Sequence, residues 1–130
     1  MAGSTPLILI VDDMPDIREM YAEYLASQGF RPEQAIDGFE ALSKATVMGP
    51  DVIVMDLNLP ELDGWEATRR LKANGLTCSI PVIALTGLSV HHSKAAALEA
   101  GCDGFLTKPC YPDALADEIR RVLRGWRRSH

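Results

Sequence analysis

At 130 residues and 47% hydrophobic content, the chain suits one domain built on a single packed core. No apolar run approaches the ~20 residues that span a bilayer, and Leu7–Val11 is too short for the apolar segment of a signal peptide, so a cytoplasmic protein without membrane contact is expected. The net charge of −5 hides an asymmetry: residues 120–130 carry five Arg and no acid, and the remainder sets eight basic against eighteen acidic side chains, which argues against direct nucleic-acid binding. Cys78, Cys102 and Cys110 are odd in number and scattered, match no zinc spacing, and read as reduced packing thiols.

Residues 1–6 read as a loose polar arm, 7–126 as one domain and 127–130 as a tail. Leu7–Val11 is apolar throughout, as a buried parallel strand requires, and runs into Asp12 and Asp13. Pro15 suits the first turn of a helix whose Ile17, Met20, Tyr21, Tyr24 and Leu25 share a face, with Gly29 as its stop. Phe30–Ile36 is the weakest strand, and Pro32, lacking a donor, requires it to lie at a sheet edge or to be very short. Asp37-Gly38 opens a second helix, with Phe39, Leu42, Ala45 and Met48 expected inward and Gly49-Pro50 closing it.

Val52–Met55 is a second buried run, ending at Asp56 and followed by a turn with Pro60 and Asp63-Gly64. Asp63 and Glu66 make a cap pair for a helix to about Ala73. Ile80–Thr86 is the fourth strand, with Pro81 at its start. Ser89 suits the cap of a helix over Val90–Ala100 that Gly101 ends. Gly104–Thr107 is a short fifth strand leading to Lys108-Pro109. The last helix runs from about Pro112 to Trp126, with Leu115, Ile119, Val122, Leu123 and Trp126 on one face. Strict alternation of strand and helix predicts a parallel sheet covered on both sides.

Four of the five strand ends then carry a polar group: Asp12 and Asp13, Asp56, Thr86, and Lys108. In a parallel sheet these ends share one edge, the edge where open α/β sheets bind ligands. Singly, each has a bland reading: Asp12 or Asp13 a helix cap, Asp56 or Thr86 a strand terminus, Lys108 a surface charge. Their recurrence at one strand end after another points instead to a crevice of three carboxylates, a hydroxyl and an ammonium. Crowded carboxylates repel and resist burial. Lys108 offsets one charge, and a hard divalent cation held by oxygen ligands, Mg²⁺ rather than Ca²⁺, suits the remainder. The chemistry implied is phosphoryl transfer to a carboxylate, which needs charge neutralisation more than acid–base groups.

The segments Leu-Ile-Leu-Ile-Val-Asp-Asp (7–13), Asp-Val-Ile-Val-Met-Asp-Leu-Asn-Leu-Pro (51–60) with Asp63-Gly64, Ile-Ala-Leu-Thr-Gly (83–87) and Ala-Gly-Cys-Asp-Gly-Phe-Leu-Thr-Lys-Pro (100–109) occur in that order. In this the chain resembles the receiver domain of two-component response regulators, over essentially everything after Pro6. The resemblance implies a flavodoxin-like fold, a five-stranded parallel sheet in order 2-1-3-4-5 with five helices. It implies Asp56 as phosphoacceptor, with Mg²⁺ held by Asp13, Asp56 and the backbone carbonyl of Asn58, and by Asp12 through water. It implies Lys108 and Thr86 as partners of the phosphoryl group, and Thr86 with Phe105 as the switch. The implied donor is a histidine kinase or histidine phosphotransfer protein. The implied output is a downstream protein bound at the face of the fourth helix, fifth strand and fifth helix.

Departures from the family pattern are Cys110, where a bulky apolar residue is common, and the irregular Pro32-Glu33-Gln34. Leu88 near the path of attacking water is expected to slow phosphoryl loss, and His91 and His92 to lie exposed on the fourth helix. Two rival readings stand beside this one. A phosphohydrolase of the haloacid-dehalogenase type would want a second Asp at position 58, where Asn58 stands. A docking receiver that is never phosphorylated would want a missing acid, Thr or Lys. The resemblance implies a signalling domain, not an enzyme, one that assists only its own phosphorylation and dephosphorylation.

Overall fold

The structure is a computed structural model that describes residues 5–87 and 94–129. Strands β1 (Leu7–Val11), β2 (Arg31–Ala35), β3 (Val52–Asp56), β4 (Val82–Thr86) and β5 (Gly104–Thr107) alternate with helices α1 (Pro15–Ser27), α2 (Gly38–Met48), α3 (Gly64–Ala73), α4 (Lys94–Ala100) and α5 (Pro112–Ser129). All strand pairs are parallel and the order is β2-β1-β3-β4-β5. This is the flavodoxin-like arrangement expected.

Side chains alternate across a strand, so each apolar run feeds two cores. Leu9, Val11, Ile53, Met55, Val82 and Ala84 pack on the side of α2, α3 and α4. Ile8, Ile10, Val52, Val54, Ile83 and Leu85 pack on the side of α1 and α5. β1, β3 and β4 are buried at every position, which is why they read as continuous apolar runs. β2 is the edge that Pro32 predicted, and only Ala35 of its five residues is buried.

The expected inward stripe of α2 holds at Ala45 and, partly buried, at Leu42, but fails at both ends. Phe39 and Met48 are 51% and 39% exposed, while Gly38, Ala41 and Ala45 are buried. The cause is close approach: a Cβ at Gly38 would lie 2.4 Å from the Leu62 carbonyl oxygen, so the small residues face the core. Met20 of α1 is likewise 41% exposed. β4 starts at Val82 and not at Ile80, whose N–H is donated to the Thr77 carbonyl in the preceding turn. The last helix continues past Trp126 to Ser129. Leu88, the Ser89 cap, the first turn expected from Val90, and His91 and His92 lie outside the described residues.

Candidate functional site at the carboxyl edge of the sheet

Register builds the site. Val11 pairs with Met55, so the next residues, Asp12 and Asp56, stand side by side at the ends of adjacent central strands. The Asp12 N–H continues the ladder to the Ala35 carbonyl at 3.1 Å. Thr86 ends β4 one residue past Leu85, the partner of Asp56. β5 pairs Thr107 with Thr86, and the Lys108 N–H is donated to the Thr86 carbonyl at 2.7 Å. The side chain of Lys108 then reaches back: Nζ lies 3.1 Å from Asp12 Oδ2 and 3.0 Å from Asp56 Oδ2.

Asp12 and Asp56 are buried, at 1% and 3% exposure, and Asp13 is exposed. Carboxylate oxygens of Asp12, Asp13 and Asp56 all lie within 4.8 Å of one another. The remaining oxygens of the buried pair are tied to their own turns: Met14 N–H donates to Asp12 Oδ1 and Asn58 N–H to Asp56 Oδ1, each at 2.9 Å. Burial pushes the Asp56 carboxyl above its usual value; the Asn58 N–H and Lys108 pull it down without cancelling the rise, and the Asp12 charge adds to it. Burial works against the Lys108 charge, but the Asp56 and Asp12 carboxylates outweigh it and hold the amine above its ordinary value.

The donor set fits a hard divalent ion. Carboxylate oxygens this close would let one such ion bind some of them directly and reach the rest through water. Three carboxylates against one ammonium leave two negative charges, the amount a divalent cation cancels. No other group of three possible ligands occurs among the described residues.

The sequence-predicted residues therefore fall into three groups. Asp12, Asp13, Asp56 and Lys108 come together. Thr86, 3% exposed, and Asn58, exposed, stand at the same edge. Phe105 sits on β5, half-buried against the α2–α3–α4 core. Sequence reasoning missed Gly64. It took Gly64 for part of a turn, but a Cβ there would lie 2.3 Å from the Asp56 carbonyl oxygen and 2.6 Å from Leu57 Cα. The first turn of α3 thus closes directly on the end of β3, with Asp63 capping it through the Glu66 N–H at 2.8 Å. The signal available was a glycine in the first turn after a cap. The Glu66 carboxylate, expected to complete the cap pair, bonds Arg69 and Arg70 at 3.2 Å.

Fold and pocket together define a flavodoxin-like α/β domain with an acidic, lysine-bridged crevice at its carboxyl edge. The family model of the response regulator receiver domain matches residues 8–120. The chain is 40% identical over 124 residues to the phosphate regulon transcriptional regulatory protein PhoB of Pseudomonas aeruginosa, covering 95% of this chain and 53% of that one. A CheY-like receiver domain protein from Methanospirillum hungatei superposes with a TM-score of 0.90 at 27% identity, covering 98% of this chain and all of the other. The receiver domain of a sensor histidine kinase from the same Pseudomonas species superposes at 0.84 with 32% identity, covering 93% of this chain and 99% of the other; that structure has magnesium coordinated in its active-site cleft. The chain belongs to the response regulator receiver domains of two-component systems. It spans about half the length of the first curated relatives it matches. No helix among the described residues is long and apolar enough to cross a membrane.

Proposed function

We propose that this receiver accepts a phosphoryl group on Asp56 from a phosphohistidine of a histidine kinase or phosphotransfer protein, in an Mg²⁺-dependent step. The observation that carries the reading is Lys108 Nζ held between Asp12 and Asp56, with Asp13 beside them. A carboxylate oxygen of Asp56 attacks phosphorus in line as the P–N bond to the donor imidazole breaks. Asp13, Asp56 and the Asn58 carbonyl would hold Mg²⁺, Asp12 would contribute through water, and the ion when bound would neutralise charge on the phosphoryl oxygens. Lys108, already paired with Asp56, moves its ammonium onto the phosphoryl group, and Thr86 donates its hydroxyl to it. The hydrolase alternative lacks its second acid, since Asn58 occupies that position and gives its N–H to Asp56.

Phosphorylation would be read out at the face of α4, β5 and α5 by a downstream protein. Phe105 belongs to a surface hollow of about 360 Å³ there, shared with Leu98, Asp103, Gly104, Glu118 and Arg121. Thr86 and Phe105 are the proposed switch, biased between two arrangements by the added charge. The reading places the domain in the cytoplasm, where kinase donors act, without membrane or direct nucleic-acid contact.

The test is phosphoryl uptake from a panel of phosphorylated kinases with Mg²⁺ present. Wild type incorporates label and Asp56→Asn does not; incorporation at the wild-type level in that variant overturns the assignment. Calorimetric titration with Mg²⁺ checks the ligand role of Asp13, and Asp13→Ala is expected to weaken binding by about tenfold or more.

A further inference from the structure

The pocket is assembled from distant parts of the chain, and α1 touches the main chain of both halves. Tyr21, 2% exposed, donates its hydroxyl to the Cys110 carbonyl at 2.7 Å, across 89 residues of sequence. That carbonyl lies two residues beyond Lys108. One turn earlier on the helix, Arg18 donates Nη1 to the Asp12 carbonyl at 2.9 Å and Nε to Gln34 Oε1 at 2.8 Å. Residues three apart lie on neighbouring positions of one helix surface, so α1 grips the acid-bearing loop with one side chain and the lysine-bearing loop with the other.

These grips bear on the chemistry because of what they hold. Lys108 carries its charge on a flexible four-carbon stem. Its ammonium reaches two carboxylates, at 3.1 and 3.0 Å, from a backbone anchored at the Thr86 carbonyl on one side and, through Cys110, at Tyr21 on the other. Asp12 is anchored on all sides: its N–H to Ala35, its carbonyl to Arg18, and its carboxylate oxygens to the Met14 N–H and to Lys108. Through its two bonds Arg18 ties this end of β1 to α1 and adds a second link to β2, beside the Asp12 N–H bond to Ala35.

We infer that Tyr21 and Arg18 are positioning residues of the acid–lysine pocket, Tyr21 setting Lys108 and Arg18 setting Asp12. The kinetic consequence rests on the phosphoacceptor reading above; the placement of Lys108 does not.

The experiment uses the whole chain with three substitutions, Tyr21→Phe, Arg18→Met and Asp13→Ala. Tyr21→Phe keeps the ring in the core and removes one hydroxyl. In the metal-free protein the Lys108 ammonium ¹⁵N–¹H correlation, which its two carboxylate partners should sharpen in wild type, is expected to broaden in Tyr21→Phe. With saturating Mg²⁺ and acetyl phosphate, phosphoryl uptake by Tyr21→Phe slows by about tenfold or more, while its Mg²⁺ affinity stays within roughly twofold. Arg18→Met shows the complementary pattern, an Mg²⁺ affinity about tenfold weaker. Arg18→Lys, which restores one donor, recovers part of it. An unchanged Lys108 signal in Tyr21→Phe overturns the inference. So does a parallel fall of rate and affinity in both variants that follows their melting temperatures, since that is the mark of general loosening. If Asp13→Ala binds Mg²⁺ like wild type, the metal reading of the site fails, and the Lys108 signal still decides the role of Tyr21.

Discussion

Acids stand at both edges of this sheet. At the amino edge Asp51 Oδ2 accepts from the Leu7 N–H at 2.7 Å, and Asp103 Oδ2 accepts from the Val82 N–H and from Lys72 Nζ, both at 2.9 Å. Both acids are exposed. The amino ends of parallel strands leave N–H groups over, and a carboxylate completes them. At the carboxyl edge the strands leave carbonyls over, which a carboxylate cannot satisfy. Asp12 and Asp56 instead take N–H groups from their own turns and share the ammonium of Lys108, while buried beside each other. The same residue type therefore closes the sheet at one edge and stores unfavourable charge at the other. A strand-end acid carries information about function according to which end it occupies.

The largest expected effect comes from forcing the charged edge apart. Gly64→Ala puts a methyl 2.3 Å from the Asp56 carbonyl oxygen and should cost about 3 kcal/mol by denaturant unfolding. Gly75→Ala, at a position with nothing within 4 Å, should stay near wild type. Next, Lys108→Ala removes the shared cation and should cost about 2 kcal/mol at neutral pH, below the usual range for a buried pair because the lysine is 25% exposed. The native state holds the Lys108 proton more tightly than the unfolded chain does, so this contribution is complete below the ordinary lysine pKa and is lost as pH rises through the raised one. The deficit should also shrink toward acidic pH as Asp56 takes up a proton, which a pH series of melting curves would show.

The sharpest form of the comparison removes one acid from each edge. Asp103→Ala leaves the Val82 N–H unpaired and should destabilise by about 1.5 kcal/mol. Asp56→Asn should act in the opposite direction, stabilising the metal-free protein by about 1 kcal/mol at pH 7, because burial disfavours the ionised carboxyl. The sign follows from linkage. With its native pKa raised, Asp56 binds more protons folded than unfolded, so wild-type stability falls as pH climbs from the unfolded carboxylate pKa through the native one. The gain from Asp56→Asn should therefore vanish at acidic pH. Destabilisation by both substitutions at pH 7 would erase the distinction between the edges.

Much of this was legible from residue order. The continuous apolar runs of β1, β3 and β4 announced strands buried on both faces, Pro32 announced the edge strand, and the left-handed Gly49 at the end of α2 stands where a helix stop was expected. The polar residues that follow those runs named the pocket, because strand ends in a parallel sheet have no other place to go. In α2, Ala45 and Leu42 turned inward as expected, but Phe39 and Met48 did not, because periodicity carries no information about how closely segments approach, and Gly38 faces the Leu62 backbone too closely for any side chain. The grips of Tyr21 and Arg18 were invisible for a related reason. Both residues fit an ordinary amphipathic helix, and their partners are backbone carbonyls, which look alike in every sequence.

Residue order by itself determined the architecture, the edge on which the acids gather and the residues that compose the cluster, since hydrophobic period and strand direction are properties of local sequence. Tertiary structure alone decided that one ammonium serves two acids at once, that Asp13 stays exposed while Asp12 and Asp56 are buried, and that α3 abuts the end of β3 without a side chain between. These depend on ångström-scale distances between segments up to 96 residues apart, and such distances are set by how two cores pack against one sheet.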